Sequence, residues 1–336
     1  MNQANQYVKS RIIGTGAYLP QTVVDNSAIT SKFDLKDDDI FRVTGIRTRH
    51  WVRDDEQCSG LAEQAARQAL AAAGLGSEAV DAILVSTTSS DTIFPSTACH
   101  LQRRLDARNV AAFDLAASCT GFLYGLSIAD SFIRAGRYRC CLVVASEVKS
   151  RYLDSSKKSS AVLFGDGAGA AVVMKEEGAD PTSPGIMGVR LYSDGACHDL
   201  ISVPAGGSRI PTSLETVKNR LHAIELKGGM VFRVAVKRLT GAIQEMLKES
   251  GLTMADIQHV IVHQANGRML TAIAKRLRLA PEQMFSIIEE AGNTSSASLP
   301  MALARADQEG KLKPGDLLLL GAFGGGLTWG TALVRW

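Results

Sequence analysis

Several things are scarce in this 336-residue chain. Aromatic residues make up 6% of it, and the formal net charge is only +3. A charge that small gives no general attraction to nucleic acid, so any basic surface has to be local. Apolar runs such as Leu317 to Leu320 fall far below the ~20 residues of a bilayer span, and no membrane association is expected. The six cysteines (Cys58, Cys99, Cys119, Cys140, Cys141 and Cys197) contain no C-x-x-C pair and have no histidine cluster at zinc-like spacing. A bound metal is therefore not expected. No charged-then-apolar leader is seen, so the expectation is a cytoplasmic protein with reduced thiols. Glycine, by contrast, is plentiful at 31 residues, in a composition 46% hydrophobic and 21% charged. That balance belongs to a folded globular protein, and the glycine-rich, aromatic-poor mix favours tightly packed α/β structure.

Strands and helices alternate along the chain, and the series runs twice. A strand over Arg11 to Tyr18 is followed by a helix whose inner stripe includes Cys58, Leu61, Ala65, Ala69 and Ala73, stopped by Gly74. Asp81 to Ser86 reads as a buried strand, Thr97 to Arg104 as a helix, Val110 to Ala116 as a strand and Cys119 to Ala135 as a helix. Strands at Cys140 to Ala145 and Ala168 to Met174 close the first half. From Gly185 the order restarts, with a strand over Ile186 to Leu191, a helix over Met230 to Glu249 and a strand over Ile257 to Val262. A helix through Leu277, a strand at Phe285, a helix through Ala304 and strands at Leu317 to Leu320 and Thr331 to Val334 complete it. The repetition suggests a duplicated α/β unit, residues 1–178 and 185–336, joined by the Gly-, Pro-, Ser- and Asp-rich loop near Glu177 to Pro184. Strands this uniformly apolar require helices on both faces.

Cys119 falls where a buried strand ends and a helix begins. Unpaired backbone N–H groups and the positive end of a helix dipole both favour thiolate there. A cysteine can equally be a small buried hydrophobe, which is the reading taken for Cys140 and Cys141 inside a Val/Leu strand. His263 ends the strand equivalent to the one ending at Ser86, and equivalent strand ends of packed α/β halves meet where sites form. Taken singly it could be an ordinary satisfied histidine. Asn293, in the polar loop Gly292 to Pro300, alone would pass for a turn or N-cap residue. Gly165-Asp166-Gly167-Ala168-Gly169-Ala170 loosely fits a dinucleotide fingerprint, but β-prone Ala171 to Met174 follows where a helix is needed. Gly14-Thr15-Gly16 fails too, because Pro20 interrupts any helix after it. A nicotinamide cofactor is thus not expected.

The segments Ala116-Ala117-Ser118-Cys119-Thr120-Gly121-Phe122, His263-Gln264-Ala265-Asn266 and Gly292-Asn293-Thr294-Ser295-Ser296-Ala297-Ser298 resemble the three active-site motifs of β-ketoacyl-acyl-carrier-protein synthase III. Phe164 to Ala170 and Gly321 to Gly330 resemble two further family segments, and the likeness runs in order from about Arg11 to Trp336. The resemblance implies a thiolase-like αβαβα fold, a homodimer and a Cys119–His263–Asn293 triad. It implies that Cys119 takes the acyl group from an acyl-CoA or acyl-carrier protein. A malonyl-carrier protein then loses CO₂, and the enolate takes hydrogen bonds from His263 and Asn293. By family position the tetrahedral oxyanion sits against the backbone N–H groups of Cys119 and Gly325, donors worth ~3–4 kcal/mol each. No further cofactor is implied. The family's basic surface for the acidic carrier protein corresponds to Arg233, Arg268, Lys275 and Arg276, which otherwise read as a solvated charged face.

One segment departs from the pattern. Where the family usually shows a Trp and an Arg that hold coenzyme A, this chain has Asp39 and Val43, and Lys158 stands where an adenine-contacting Arg is common. The acyl donor, its chain length and the pathway, fatty-acid initiation or a specialised metabolite, are left open by this. Two other classes remain on the same scaffold: an acyltransferase to an oxygen or nitrogen nucleophile, and a non-catalytic partner subunit.

Overall fold

The computed structural model describes residues 8–30, 36–154 and 156–336. One sheet contains β1 (Lys9–Tyr18), β2 (Ala82–Ser86), β3 (Ala111–Leu115), β4 (Cys140–Glu147) and β5 (Gly167–Glu176), in the spatial order β1-β5-β4-β2-β3. A second contains β6 (Gly185–Ser193), β7 (His259–Val262), β8 (Leu317–Gly324) and β9 (Thr328–Arg335), in the order β6-β9-β8-β7. Strand directions match as well. The β1–β5 and β5–β4 pairs are antiparallel and β4–β2 and β2–β3 parallel, while β6–β9 and β9–β8 are antiparallel and β8–β7 parallel. The strand expected at Phe285 is reduced to one parallel bridge between Val260 and Met284, beside β7 as β3 lies beside β2. The ladder stops there because the next backbone donor, Ile287 N–H, bonds the side chain of Gln264 instead.

Side chains alternate across each strand, and here both faces are apolar. From β2, Ala82 and Leu84 pack with the central helices α3 (Gly121–Arg134) and α6 (Ser298–Gln308), while Ile83 and Val85 meet the outer helices α1 (Cys58–Ala72) and α2 (Thr97–Arg104). From β8, Leu318 and Leu320 join the same central layer, while Leu317 and Leu319 face α4 (Gly228–Glu249) and α5 (Gly267–Leu277). The result is five layers, αβαβα. The alanine stripe of α1 lies so close on β1 that a Cβ at Gly14 or Gly16 would collide with the carbonyl oxygens of Ala69 or Ala65. Gly167 opens β5 rather than a helix, so the Gly165–Ala170 segment serves the sheet. No helix among the described residues is long and apolar enough to cross a membrane.

Candidate active site

The turns that follow β3, β7 and β8 meet at the starts of the two central helices. Cys119 sits in a single 3-10 turn, Ser118–Thr120, directly ahead of α3, with Ser118 in the left-handed region at φ 48°. His263 follows β7 and extends its ladder, its N–H donating to Gly321 O at 2.8 Å. Asn293 precedes α6, pinned by its N–H to Leu163 O (2.9 Å) and its carbonyl to Gly165 N–H (3.1 Å). All three line one cavity of about 440 Å³, and Gly325 lines it too. The end of β8 presses on the Cys119 turn: a Cβ on Gly324 would lie 2.7 Å from the Cys119 nitrogen. Only a glycine allows that approach.

The side chains are oriented by their second polar atoms. His263 Nδ1 lies 2.6 Å from Ser298 Oγ, which accepts from Gln264 N–H at 3.1 Å. The remaining Ser298 proton has no other acceptor among the described residues, so it donates to Nδ1 and leaves Nε2 carrying the hydrogen. Burial pushes the imidazole down to about 4, against an upward pull from Glu147, so it is neutral near pH 7. Asn293 Oδ1 accepts from Ser295 N–H at 2.9 Å, and Nδ2 donates to Ala265 O at 3.2 Å, which leaves one amide hydrogen over. Two neutral N–H donors therefore belong to the cavity that holds the thiol.

Cys119 Sγ lies 3.5 Å from Ser295 Oγ, which donates to Glu147 Oε1 at 3.1 Å. A carboxylate only accepts, so the Ser295 proton points to Glu147 and its oxygen receives the Cys119 S–H. Burial pushes this thiol up to about 11, with the Ser295 bond and Lys149 pulling it down and Glu147 adding to the rise. Desolvation therefore opposes what the helix start favours and holds the thiol above its usual range. Glu147 is completely buried. Burial would raise its carboxyl, but Lys149 at 2.9 Å and the hydroxyls of Ser89 and Ser296 outweigh that and hold it below the usual range.

Glu147, Lys149, Ser295 and Ser298 were not singled out from the sequence. The density of hydroxyls from Thr294 to Ser298 was a usable signal. The Glu147–Lys149 pair was hidden, because nothing local tells that a strand read as ending at Ala145 stays buried through Glu147.

Profiles of the family described as 3-oxoacyl-[acyl-carrier-protein (ACP)] synthase III match residues 113–195 and, for its C-terminal part, 247–336. A beta-ketoacyl-[acyl-carrier-protein] synthase III of Rhodospirillum centenum is 44% identical over 98% of this chain and 99% of its own length. The chain belongs to the β-ketoacyl-acyl-carrier-protein synthase III family. A 3-oxoacyl-[acyl-carrier-protein] synthase III from Aquifex aeolicus, 40% identical, superposes with a TM-score of 0.89 over 97% of this chain and all of its own. The priming β-ketosynthase of the R1128 polyketide pathway, 33% identical, gives the same TM-score over 97% of this chain and 96% of its own.

The mouth of this synthase is built differently from its floor. Val43, Gly229 and Arg268 line an outer recess that shares Gly228, Phe232 and Asn266 with the main cavity. Gly45, at φ 71°, ends the helix Asp37–Thr44 against Gly267 and so brings Val43 there. Arg42 does not turn inward: it is 74% exposed and pairs with Asp39 at 2.8 Å on the outside. Arg233, Arg268, Lys275 and Arg276 are all exposed, with no ion pair among the described residues. Arg268 is at the mouth, Lys275 and Arg276 are in the last turn of α5, and Arg233 borders a separate groove with Arg238 and Trp329. The side chain of Lys158 lies outside the described residues.

Proposed function

We propose that Cys119, His263 and Asn293 perform the decarboxylative condensation of an acyl thioester with malonyl-acyl-carrier protein. Cys119 loses its proton as sulfur attacks the thioester carbonyl, the oxyanion rests on the N–H groups of Cys119 and Gly325, and collapse expels the carrier thiolate, which takes up a proton. Malonyl thioester then enters, its carboxylate–Cα bond breaks, CO₂ departs, and the electron pair moves to the thioester oxygen as an enolate. His263 Nε2–H and the spare Asn293 amide hydrogen stabilise that oxygen. The enolate carbon attacks acyl-Cys119, the C–S bond breaks and the thiolate is reprotonated. The observation that carries this reading is the occupied back side of both donors, Ser298 on Nδ1 and Ser295 on Oδ1, which leaves N–H groups for the cavity.

The reading needs no cofactor beyond its substrates. Supplied with acyl donor and malonyl-carrier protein, the protein should release CO₂ and form a β-ketoacyl product in equal amounts. Acyl transfer to an oxygen or nitrogen nucleophile without CO₂ would favour the acyltransferase alternative. A non-catalytic subunit is disfavoured because the three side chains are intact and share one cavity.

The carrier protein docks, on this reading, at exposed Arg268 beside the mouth, with Arg233, Lys275 and Arg276 extending the basic surface. The donor is a longer acyl thioester rather than acetyl-CoA, since Asp39 and Val43 offer neither a stacking ring nor a guanidinium for an adenine. Acylation by octanoyl-CoA or octanoyl-carrier protein should outpace acetyl-CoA; acetyl-CoA as the fastest of the three would return the initiating role. The working unit is a homodimer: β3 is a half-exposed edge strand, and nearby Ile93 and Phe94 are 91% and 85% exposed, an apolar tip that suits a second copy. The six free thiols agree with a reducing cytoplasm.

A further inference from the structure

Among the described residues lining the catalytic cavity, Lys149 is the one lysine, and no arginine, aspartate or glutamate joins it. Its side chain is only 8% exposed, with Nζ 2.9 Å from Glu147 Oε2 and donating also to Thr88 Oγ1. An ammonium has three N–H donors; two meet these partners, and the third has no hydrogen-bond acceptor among the described residues, the Tyr152 ring centroid lying 5.8 Å from Nζ. Much of the surrounding wall is apolar, including Leu163, Phe164, Ile224, Val231 and Phe323. A hydrocarbon acyl chain drawn against that ammonium would strip its water and return no hydrogen bond. Offsetting the buried Glu147 carboxylate, which also accepts from Ser89, Ser295 and Ser296, occupies one of the lysine's N–H groups and does not require the ammonium to face the cavity.

We propose that Lys149 is a specificity-determining residue that hydrogen-bonds an oxygen on the acyl group bound for Cys119, so that hydroxyacyl or oxoacyl thioesters are the preferred primers. This rests on the condensing reading above and names its substrate class. Glu147 neutralises Lys149 from behind, so a neutral hydroxyl or carbonyl is accommodated better than a carboxylate, which would face Glu147. The same reasoning excludes the malonyl carboxylate as the intended partner. An ammonium holding it would stabilise the ground state that has to lose CO₂.

The test is the kcat/KM of Cys119 acylation, followed by intact mass, with octanoyl-, 3-hydroxyoctanoyl-, 3-oxooctanoyl- and 7-carboxyheptanoyl-CoA. A charge-assisted hydrogen bond of this kind should favour the hydroxy or oxo chain over octanoyl by about 10- to 100-fold. The carboxylated chain should trail them. Lys149→Met should bring that ratio close to unity, and because the ratio is taken within one protein, general damage cancels. Lys149→Gln, which keeps a neutral donor, should give an intermediate ratio and serves in its place should the Met variant not fold. Octanoyl-CoA as the best donor of the wild type, or an unchanged ratio in both variants, would overturn the proposal while leaving the condensing reading intact. Failure of every thioester to acylate Cys119 would overturn both.

Discussion

At the floor of the cavity Cys119, His263 and Asn293 are tied to protein partners, whereas the charged side chains around the mouth point into water. His263 is held by Ser298, Asn293 by Ser295 and Ala265, and Cys119 by Ser295 under Glu147. Outside the mouth Arg42 pairs with Asp39, which also accepts from the Lys36 N–H of its own helix, and Arg268 at the mouth holds no acid among the described residues. Orientation costs little at the moment of reaction when it is fixed by folding, which is what an enolate or oxyanion site requires. Docking of a carrier or a nucleotide asks for less, and long exposed charges mainly steer encounter. Floor and mouth can therefore change independently.

The strongest way to break that contrast is to remove a floor donor. His263→Ala and Asn293→Ala should each lower condensation by ~10²–10³ while acyl-Cys119 still forms. Normal condensation with failed acylation would reverse the assigned roles. A smaller effect is expected from Ser295→Ala, which deletes the hydroxyl between the nucleophile and Glu147 and should slow acylation by about tenfold. The Ser295 bond lowers the Cys119 pKa, so its loss should shift the pH profile of Cys119 alkylation upward. In the wild type that alkylation should climb about tenfold per pH unit until pH approaches about 11, as the thiolate fraction grows. A plateau near neutrality would mean the thiolate is already formed. The mildest change belongs to the mouth. Arg268→Glu with Lys275→Glu should raise KM for malonyl-carrier protein several-fold and leave acylation by acyl-CoA nearly unchanged, with the wild-type rate falling as salt is added. Salt-insensitive kinetics would return these residues to an ordinary solvated face.

The difference between the regions also explains what the sequence disclosed. The two sheets were legible because mainly apolar, fully buried strands such as Ala82–Ser86 and Leu317–Gly324 recur between amphipathic helices. Cys119, His263 and Asn293 were legible as strand ends and helix starts combined with family motifs. The strand at Phe285 was over-read, since Gln264 takes the backbone donor that would continue it. The supports of the triad were missed because they are tertiary: Glu147 is 148 positions from Ser295 and meets it only through the stacking of the two sheets. Desolvation of the thiol was invisible for the same reason. A helix start can be read locally, but the protein mass around a sulfur atom cannot.

The most direct test of the central claim is peptide mapping of the acylated protein before and after malonyl-carrier protein is added. The acyl group should be found on Cys119 alone among the six cysteines, and should leave it with an equal amount of CO₂. Acyl label on another residue, or full condensing activity in Cys119→Ala, would contradict the account.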